Sequence, residues 1–187
     1  MKKLFVIALM FLSALSAGAQ SSLVSQISAA CAAAESVQCN FTQTRHLAMM
    51  EEAIVSTGKM SYRRPDFLRW EYVSPEPMTL EIDGGTVMVT RGRDGAVSDA
   101  GGNKMYRELT KLLMGAVSGR LLGDEKLFST QASSDGNVIT AILIPIRGDM
   151  KRLWNKMTMT FDATSYAALR IYIDEVGGGA TVIKFTY

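Results

Sequence analysis

Few side chains in this sequence are suited to catalysis or to metal binding. His46 is the only histidine, and it follows Arg45 near the end of a predicted strand, with no glycine-flanked serine nearby. One histidine and two widely spaced cysteines do not make a zinc site. The sequence therefore predicts no catalytic residue, no metal site and no cofactor.

The two cysteines, Cys31 and Cys39, leave two interpretations open. A continuous helix would hold them about 12 Å apart, which is too far for a disulfide bond. If the helix ends near Glu35, a disulfide can join the helix to the strand that follows. The alternative is that both cysteines act as small buried hydrophobic residues.

The N-terminus has the pattern of an export signal. Two lysines precede an apolar run over residues 4–15, and Ala17-Gly18-Ala19 then places small residues at the cleavage positions. The run is about a dozen residues long, whereas a membrane-spanning helix needs roughly 20. We expect residues 1–19 to be a cleaved signal peptide of a protein exported to an oxidising compartment, without stable insertion in a membrane.

The charge of the mature chain argues against a nucleic-acid partner. The signal segment contains two of the 20 basic residues and none of the 18 acidic residues, so the mature chain has 18 of each and a net charge of about zero. A nucleic-acid-binding protein is expected to keep a basic excess and a basic surface. We therefore predict no nucleic-acid partner.

The spacing of apolar residues predicts two helices and a series of antiparallel strands. Helical spacing covers residues 23–34 and returns over 103–120, whereas the segment 91–102 reads as a glycine-rich break. So many short strands in residues 20–187, predicted as one domain, should curl into a closed or nearly closed barrel. Ten strands are predicted, at 37–42, 54–63, 68–72, 78–82, 87–89, 126–133, 137–144, 156–162, 167–175 and 180–187.

Large apolar side chains share one phase of these strands. Residues two apart in a strand lie on the same face of a sheet, so these side chains should face the interior of the barrel. Methionine suits a surface that repacks around variable partners, although each methionine can equally be plain core. The inward set is Phe41, Met60, Tyr62, Leu68, Trp70, Tyr72, Met78, Leu80, Ile82, Met157, Met159 and Phe161.

A series of short motifs follows in order along most of the mature chain. They are Phe41-Thr42-Gln43, Ser56-Thr57-Gly58-Lys59-Met60, Arg64-Pro65-x-x-Leu68-x-Trp70-x-Tyr72-x-x-Pro75 and Asp83-Gly84, then Phe161-Asp162, Asp174-Glu175 and Thr181-Val182-Ile183-Lys184-Phe185 in the closing strands. In their order and spacing, these motifs resemble the LolA family of periplasmic outer-membrane lipoprotein carriers.

The resemblance implies an α+β fold: an incomplete, curved antiparallel barrel of about ten or eleven strands, with helices as a lid over an apolar cavity. The inward set above then becomes the predicted acyl-chain cavity. Met105, Leu109, Leu112 and Leu113 become the apolar face of the lid helix. The implied function is a monomeric periplasmic chaperone that takes acylated lipoproteins from an inner-membrane release transporter to an outer-membrane acceptor.

Arg64 and Pro65 are the residues that the resemblance singles out. The arginine before the proline links the strands to the lid in the family. It continues the inward phase of the strand, and Pro65 ends the strand directly after it. Its guanidinium has five donors for the free carbonyls at the end of a helix, so we expect a latch that is strong when dry and weak when wet.

Several alternatives stay open from the sequence. The cargo can be another acylated lipid, or the chain can be a periplasmic sensor like RseB, although it is too short for the second domain of RseB. An enzyme that depends on His46 and a purely structural subunit have less support. The sequence ends at Tyr187, without the C-terminal extension of many LolA proteins, and its two cysteines match no family pattern.

Overall fold

The computed structural model describes residues 22–92, 95–102 and 104–187, without the side chains of 104–109. The predicted signal peptide lies outside the described residues. The helices are α1 at residues 22–33, α2 at Lys104–Val117 and α3 at Gly148–Lys151. None of these described helices combines the length and the hydropathy that a bilayer-spanning helix needs.

The described strands form one antiparallel sheet that does not close. Its order is β6-β5-β4-β3-β2-β1-β11-β10-β9-β8-β7, so β6 and β7 are the two free edges. This confirms the predicted fold class, an incomplete curved barrel with helices. The strands are β1 Ser36–His46, β2 Ile54–Arg63, β3 Phe67–Ser74, β4 Met78–Asp83, β5 Thr86–Arg91, β6 Ala96–Asp99, β7 Phe128–Asp135, β8 Val138–Pro145, β9 Trp154–Asp162, β10 Ala168–Glu175 and β11 Ala180–Thr186.

The register of the strands places the inward apolar residues opposite one another. Met60 on β2 pairs with Trp70 on β3, and Trp70 pairs with Leu80 on β4. Alternation along each strand puts these side chains on the concave face, as the sequence pattern predicts. On the convex face of the same strands, Arg69 bonds to Glu71 and Glu81 in solvent, at 3.3 and 3.0 Å.

The concave face holds two groups of buried residues. We call the first the aromatic cluster. It is built mainly on β1 to β5, and its buried members include Phe41, Tyr62, Trp70, Leu80 and Val89. The second, the helix cluster, joins α1 and the segment after α2 to strands β7 to β9. Its buried members include Ile27, Leu121, Phe128, Leu143, Met157 and Phe161.

The structure corrects the predicted elements at three points. The segment 91–102 contains an edge strand, β6, whose four residues are all exposed and therefore carry no burial pattern. The short helix α3 was not predicted. The second helix ends at Val117 instead of Arg120, because Gly119 takes a left-handed φ of 73° and its N–H bonds to Ala116 O.

Candidate functional site: an apolar cavity beneath two helices

An apolar cavity of about 260 Å³ lies between the concave face of the sheet and the helices α1 and α2. Strands β1 to β3 and β9 to β11 form its floor, and the turn between β9 and β10 forms one side. No described residue of the lining carries a charge. The lining is Ala30, Cys31, Ala34, Val37, Met60, Leu68, Trp70, Leu112, Leu113, Ala116, Val117, Leu121, Trp154, Met157, Met159, Phe161, Ser165, Tyr166, Ala167, Ala168, Ile171, Ile173, Ile183, Phe185 and Tyr187.

The two helices cover the cavity with different residue types. α2 contributes Leu112, Leu113, Ala116 and Val117, whose three- and four-residue spacing places them on one face of the helix. The α1 segment contributes mostly small residues. Because alanines fill little space beneath a helix, the roof is apolar but leaves the cavity open below it.

Contacts on three sides hold α1 over the sheet. Ile27 is completely buried in the helix cluster. The hydroxyl of Ser28 donates to Gly119 O at 2.9 Å, and the hydroxyl of Tyr166 donates to the side chain of Gln26 at 3.1 Å. Gly119 has no room for a side chain, because an added Cβ would lie 2.8 Å from Cβ of Cys31. α1 and the end of α2 are therefore packed backbone to backbone.

Arg64 contacts the end of α1. Its Nη1 donates to Ala32 O at 3.0 Å, and its backbone N–H donates to Glu35 O at 2.9 Å. These contacts tie the end of β2, just before Pro65, to the last turn of the helix and to the residue that precedes β1. Arg64 is exposed, so water competes with this hydrogen bond, which is the wet condition in which the predicted latch is weak.

Only part of the predicted acyl-chain wall lines the cavity. Met60, Leu68, Trp70, Met157, Met159 and Phe161 do so, together with Leu112 and Leu113 of the lid helix. The side chains of Met105 and Leu109 lie outside the described part of the structure. Phe41, Tyr62, Tyr72, Met78, Leu80 and Ile82 do not line it. They pack within or against the aromatic cluster, of which Met60, Leu68 and Trp70 border the cavity.

Aromatic stacking explains why this part of the wall is closed. The ring of Phe41 lies 4.5 Å from that of Trp70 and 5.3 Å from that of Tyr72, between centroids. Gly58 lies opposite Phe41, and an added Cβ there would overlap the Phe41 ring and Glu71 O. The space between these strands is thus filled by the protein's own rings.

Other lining residues were not among the predicted site residues. Ile171, Ile173, Ile183 and Phe185 continue the inward alternation of the last strands, so the sequence pattern carried a signal for them. Trp154 and the turn from Ser165 to Ala168 had no such signal. They lie where the pairing of β9 with β10 shifts register, beside Ala168 and at Trp154, and strand periodicity does not encode such shifts.

Two thiols at or beside the cavity stay protonated at physiological pH. Cys31 lines the cavity and Cys39 is buried beside it, and both are free thiols. Burial raises the pKa of the Cys39 thiol to about 11, and it also raises the pKa of Cys31. Among the described residues, no group of three or more His, Cys, Asp or Glu could hold a metal ion. The site is therefore an uncharged, apolar cavity.

Comparisons with solved structures find similar folds at low sequence identity. A LolA superfamily protein from Nitrosomonas europaea is 9% identical with a TM-score of 0.46, covering 90% of this chain and 92% of that chain. An outer-membrane lipoprotein-sorting protein domain from Vibrio parahaemolyticus is 11% identical with a TM-score of 0.43, covering 88% and 89%. A DUF1329 family protein from Desulfovibrio piger is 8% identical with a TM-score of 0.49, again covering 88% and 89%.

Comparison with protein families gives a more direct result. No curated protein matches the sequence. The sequence model of the family described as outer membrane lipoprotein carrier protein LolA matches residues 32–187, which is well over half of the chain. This range includes β1 to β11 and the greater part of the cavity lining. The chain belongs to the family of the outer membrane lipoprotein carrier protein LolA.

Proposed function

We propose that this protein is a periplasmic carrier that holds the acyl chains of lipoproteins in its cavity and takes them from the inner to the outer membrane. The observation that carries the proposal is the uncharged, apolar cavity beneath α1 and α2. Each acyl methylene that leaves water contributes about 0.8 kcal/mol, so a dozen methylenes contribute roughly 10 kcal/mol. Membership of the LolA family supports lipoproteins as the cargo.

The size of the cavity indicates that the helices must move to admit cargo. Its volume of about 260 Å³ lies below the ~300–1,000 Å³ typical of small-molecule sites. Leu112 and Leu113 occupy part of the space that an acyl chain needs. In this mechanism the closed lid competes with the cargo, because opening exposes apolar surface of the protein itself. That cost lowers the net affinity and allows transfer to a tighter acceptor.

Arg64 contributes to this balance as a weak tie on the closed state. One charge-assisted hydrogen bond to Ala32 O, exposed to water, stabilises closure by an amount that cargo binding can overcome. An inner-membrane release transporter and an outer-membrane acceptor are the partners that this function requires. The protein acts as a monomer in this scheme, and its route to the periplasm is the predicted signal peptide.

The experiment that tests the proposal is extraction of cargo. The mature protein is incubated with membranes that contain a triacylated lipoprotein, or the same lipoprotein lacking its acyl chains, and the supernatant is examined for a soluble complex. We expect a one-to-one complex with the acylated form only. Extraction of lipid without lipoprotein would favour a carrier of another acylated lipid or an RseB-like sensor. Recovery of neither would contradict a carrier.

Substitution of Arg64 tests the tie separately. Arg64→Leu removes the bond to Ala32 O, so we expect the closed state to lose stability, cargo to be retained more tightly and onward transfer to slow. Arg63→Leu is the matched control, since Arg63 stacks on the ring of Phe67 at 4.8 Å. Transfer rates that are equal in the two variants and the parent protein would rule out a role for Arg64 in closure.

A further inference from the structure

The exposed large apolar residues of the described chain are concentrated at one end of the sheet. This end, which we call the loop end, is formed in the described chain by the connections 47–53, 75–77, 146–153 and 176–179 and by residues 92 and 95 between β5 and β6. All but three of the thirteen exposed large apolar residues lie in these connections or within two residues of them. The exceptions are Val138, Ile142 and Tyr187. The Arg64 tie lies at the opposite end of the strands.

The most exposed apolar side chain lies at the tip of the β1–β2 connection. Met50 N–H bonds to Leu47 O at 3.0 Å, which closes a turn with Met49 near its apex. Turn positions ordinarily carry glycine, asparagine, aspartate or serine, because these residues suit the backbone and solvent. Here Met49 is 98% exposed and Met50 is 52% exposed. A protruding tip of flexible apolar side chains needs no shaped pocket on its partner. Such a tip therefore suits the fluid apolar region of a lipid bilayer better than a rigid protein surface.

The neighbouring β8–β9 connection combines apolar side chains with unpaired cations. Leu153 is 58% exposed and Ile146 is also exposed, while Lys151 and Arg152 lie between them in the sequence. Arg147 is bonded to Asp149, but neither Lys151 nor Arg152 forms an ion pair with a described residue. Apolar residues with adjacent Lys and Arg are the composition that binds an anionic membrane surface.

The two connections belong to one continuous surface. The N–H of Val176, an exposed residue, bonds to Leu153 O at 2.9 Å, and this places the β10–β11 turn beside the β8–β9 connection. The same turn approaches the β1–β2 connection, since a Cβ added to Gly178 would lie 3.5 Å from Cβ of Ala48. The methionine tip and the cationic connection therefore flank a shared turn.

This surface lies close in the sequence to two residues of the cavity lining. Trp154 follows Leu153 directly in the chain and lines the cavity, and Ile173 of β10 lines it close to Val176. Along β9 and β10, the cavity lining thus reaches within three residues of the loop end.

We propose that the loop end docks reversibly on an anionic lipid bilayer, with Met49, Met50 and Leu153 entering the interface and Lys151 and Arg152 attracting the headgroups. Glu51 and Glu52 follow the methionine tip and carry the opposite charge, so the tip supplies apolar contact only. This docking does not depend on the identity of the cargo. It orients the cavity rim beside Trp154 toward the bilayer.

Sedimentation with vesicles tests the proposal. The full mature protein is mixed with vesicles of phosphatidylcholine alone, or of equal parts phosphatidylcholine and phosphatidylglycerol, at low salt and without lipoprotein. We expect association with the anionic vesicles at least tenfold stronger than with the neutral ones, and weakening as salt is raised. Absence of binding to both vesicles would overturn the proposal and leave a protein partner as the occupant.

Variants separate the charge from the apolar contact. The double variant Lys151→Ser/Arg152→Ser should bind anionic vesicles roughly tenfold or more weakly. The matched control Lys59→Ser/Lys184→Ser removes the same charge from exposed positions within β2 and β11 and should bind like the parent. Equal losses in both pairs would mean unspecific attraction and would overturn the docking site.

The methionine tip is tested by Met49→Ser/Met50→Ser. We expect weaker binding to anionic vesicles and less quenching of tryptophan fluorescence by lipids brominated in their acyl chains, with an unchanged circular dichroism spectrum. Because both methionines are exposed, this variant should fold. Binding and quenching that match the parent protein would overturn the assignment of the tip.

Discussion

The two halves of the concave face use similar residue types for different purposes. In the aromatic cluster, Phe41, Trp70 and Tyr72 stack on one another and fill the space above the strands. In the half beneath α1 and α2, Met157, Met159 and Ile171 pack in or against the helix cluster and also border a cavity. The first half is a packed core and the second is a container. The difference arises from what covers the sheet. Stacked aromatic rings fill the space over the first half, whereas α1 and α2 leave a cavity between themselves and the second half.

Substitution of Gly58 has the largest expected effect on stability. It tests whether the aromatic cluster is as tightly packed as its geometry indicates. Gly58→Ala places a Cβ against backbone and ring atoms of Glu71 and Phe41, neither of which can move cheaply. We expect destabilisation beyond about 4 kcal/mol or a loss of cooperative folding, as measured by urea denaturation.

The matched control for Gly58 is Gly148, which has open space around its Cα. Gly148→Ala lies at the start of α3 and should leave the free energy of unfolding unchanged or slightly higher. If Gly58→Ala were as stable as Gly148→Ala, the aromatic cluster would have unfilled space and the contrast between the halves would fail.

A pair of identical substitutions measures the contrast directly. Leu80 is buried in the aromatic cluster, whereas Leu112 borders the cavity. Leu80→Ala leaves a new void among packed neighbours and should cost about 2–5 kcal/mol. Leu112 borders the cavity on one side and so makes fewer contacts than Leu80. For Leu112→Ala we therefore expect a destabilisation of roughly 1 kcal/mol.

The two leucine variants should also differ in their binding of an apolar probe. Leu112→Ala enlarges the cavity and should bind a fluorescent fatty-acyl probe at least as well as the parent protein. Leu80→Ala, under conditions where it is folded, should leave probe affinity unchanged. Equal stability losses in the two variants would show that the cavity wall is packed like a core.

The sequence located the face of each strand but not the division of that face. Alternation in β2, β3 and β9 correctly placed Met60, Trp70 and Met159 inward, because a strand's period depends only on which side is dry. It could not separate Met60, which lines the cavity, from Tyr62 two residues later, which does not. That division depends on where two helices cross the sheet, and the crossing is set by long-range contacts such as Ser28 with Gly119.

Strands that bury neither face could not be predicted from the spacing of apolar residues. β6 is exposed along its whole length, and it is held by pairing with β5 rather than by burial, so no apolar period marks it. The hydrogen-bond acceptor of Arg64 could not be identified from the sequence either, because it also depends on contacts between distant parts of the chain. The resemblance indicated a helix end, but only the fold identifies Ala32 of α1 as the acceptor.

The smallest expected effect is that of the two cysteines on the pH dependence of the free energy of unfolding, with one cysteine in each half of the concave face. Cys39 is buried in the aromatic cluster, and its pKa of about 11 exceeds the value of 9.0 expected for an exposed thiol. A folded-state pKa above the unfolded value means that the stabilisation is complete below pH 9 and is lost as the pH rises toward 11. At pH 10 the loss from Cys39 is about 1 kcal/mol.

Comparison of two alanine variants isolates this contribution, because Tyr72 and Tyr187 also have raised pKa values and weaken the fold at alkaline pH. The free energy of unfolding is measured at pH 8 and pH 10 for the parent, Cys39→Ala and Cys31→Ala. The drop between the two pH values should shrink most in Cys39→Ala. It should shrink less in Cys31→Ala, since a backbone hydrogen bond partly offsets the effect of burial on the Cys31 thiol. Drops of equal size in all three proteins would mean that Cys39 is hydrated, and the aromatic cluster would then be no drier than the cavity.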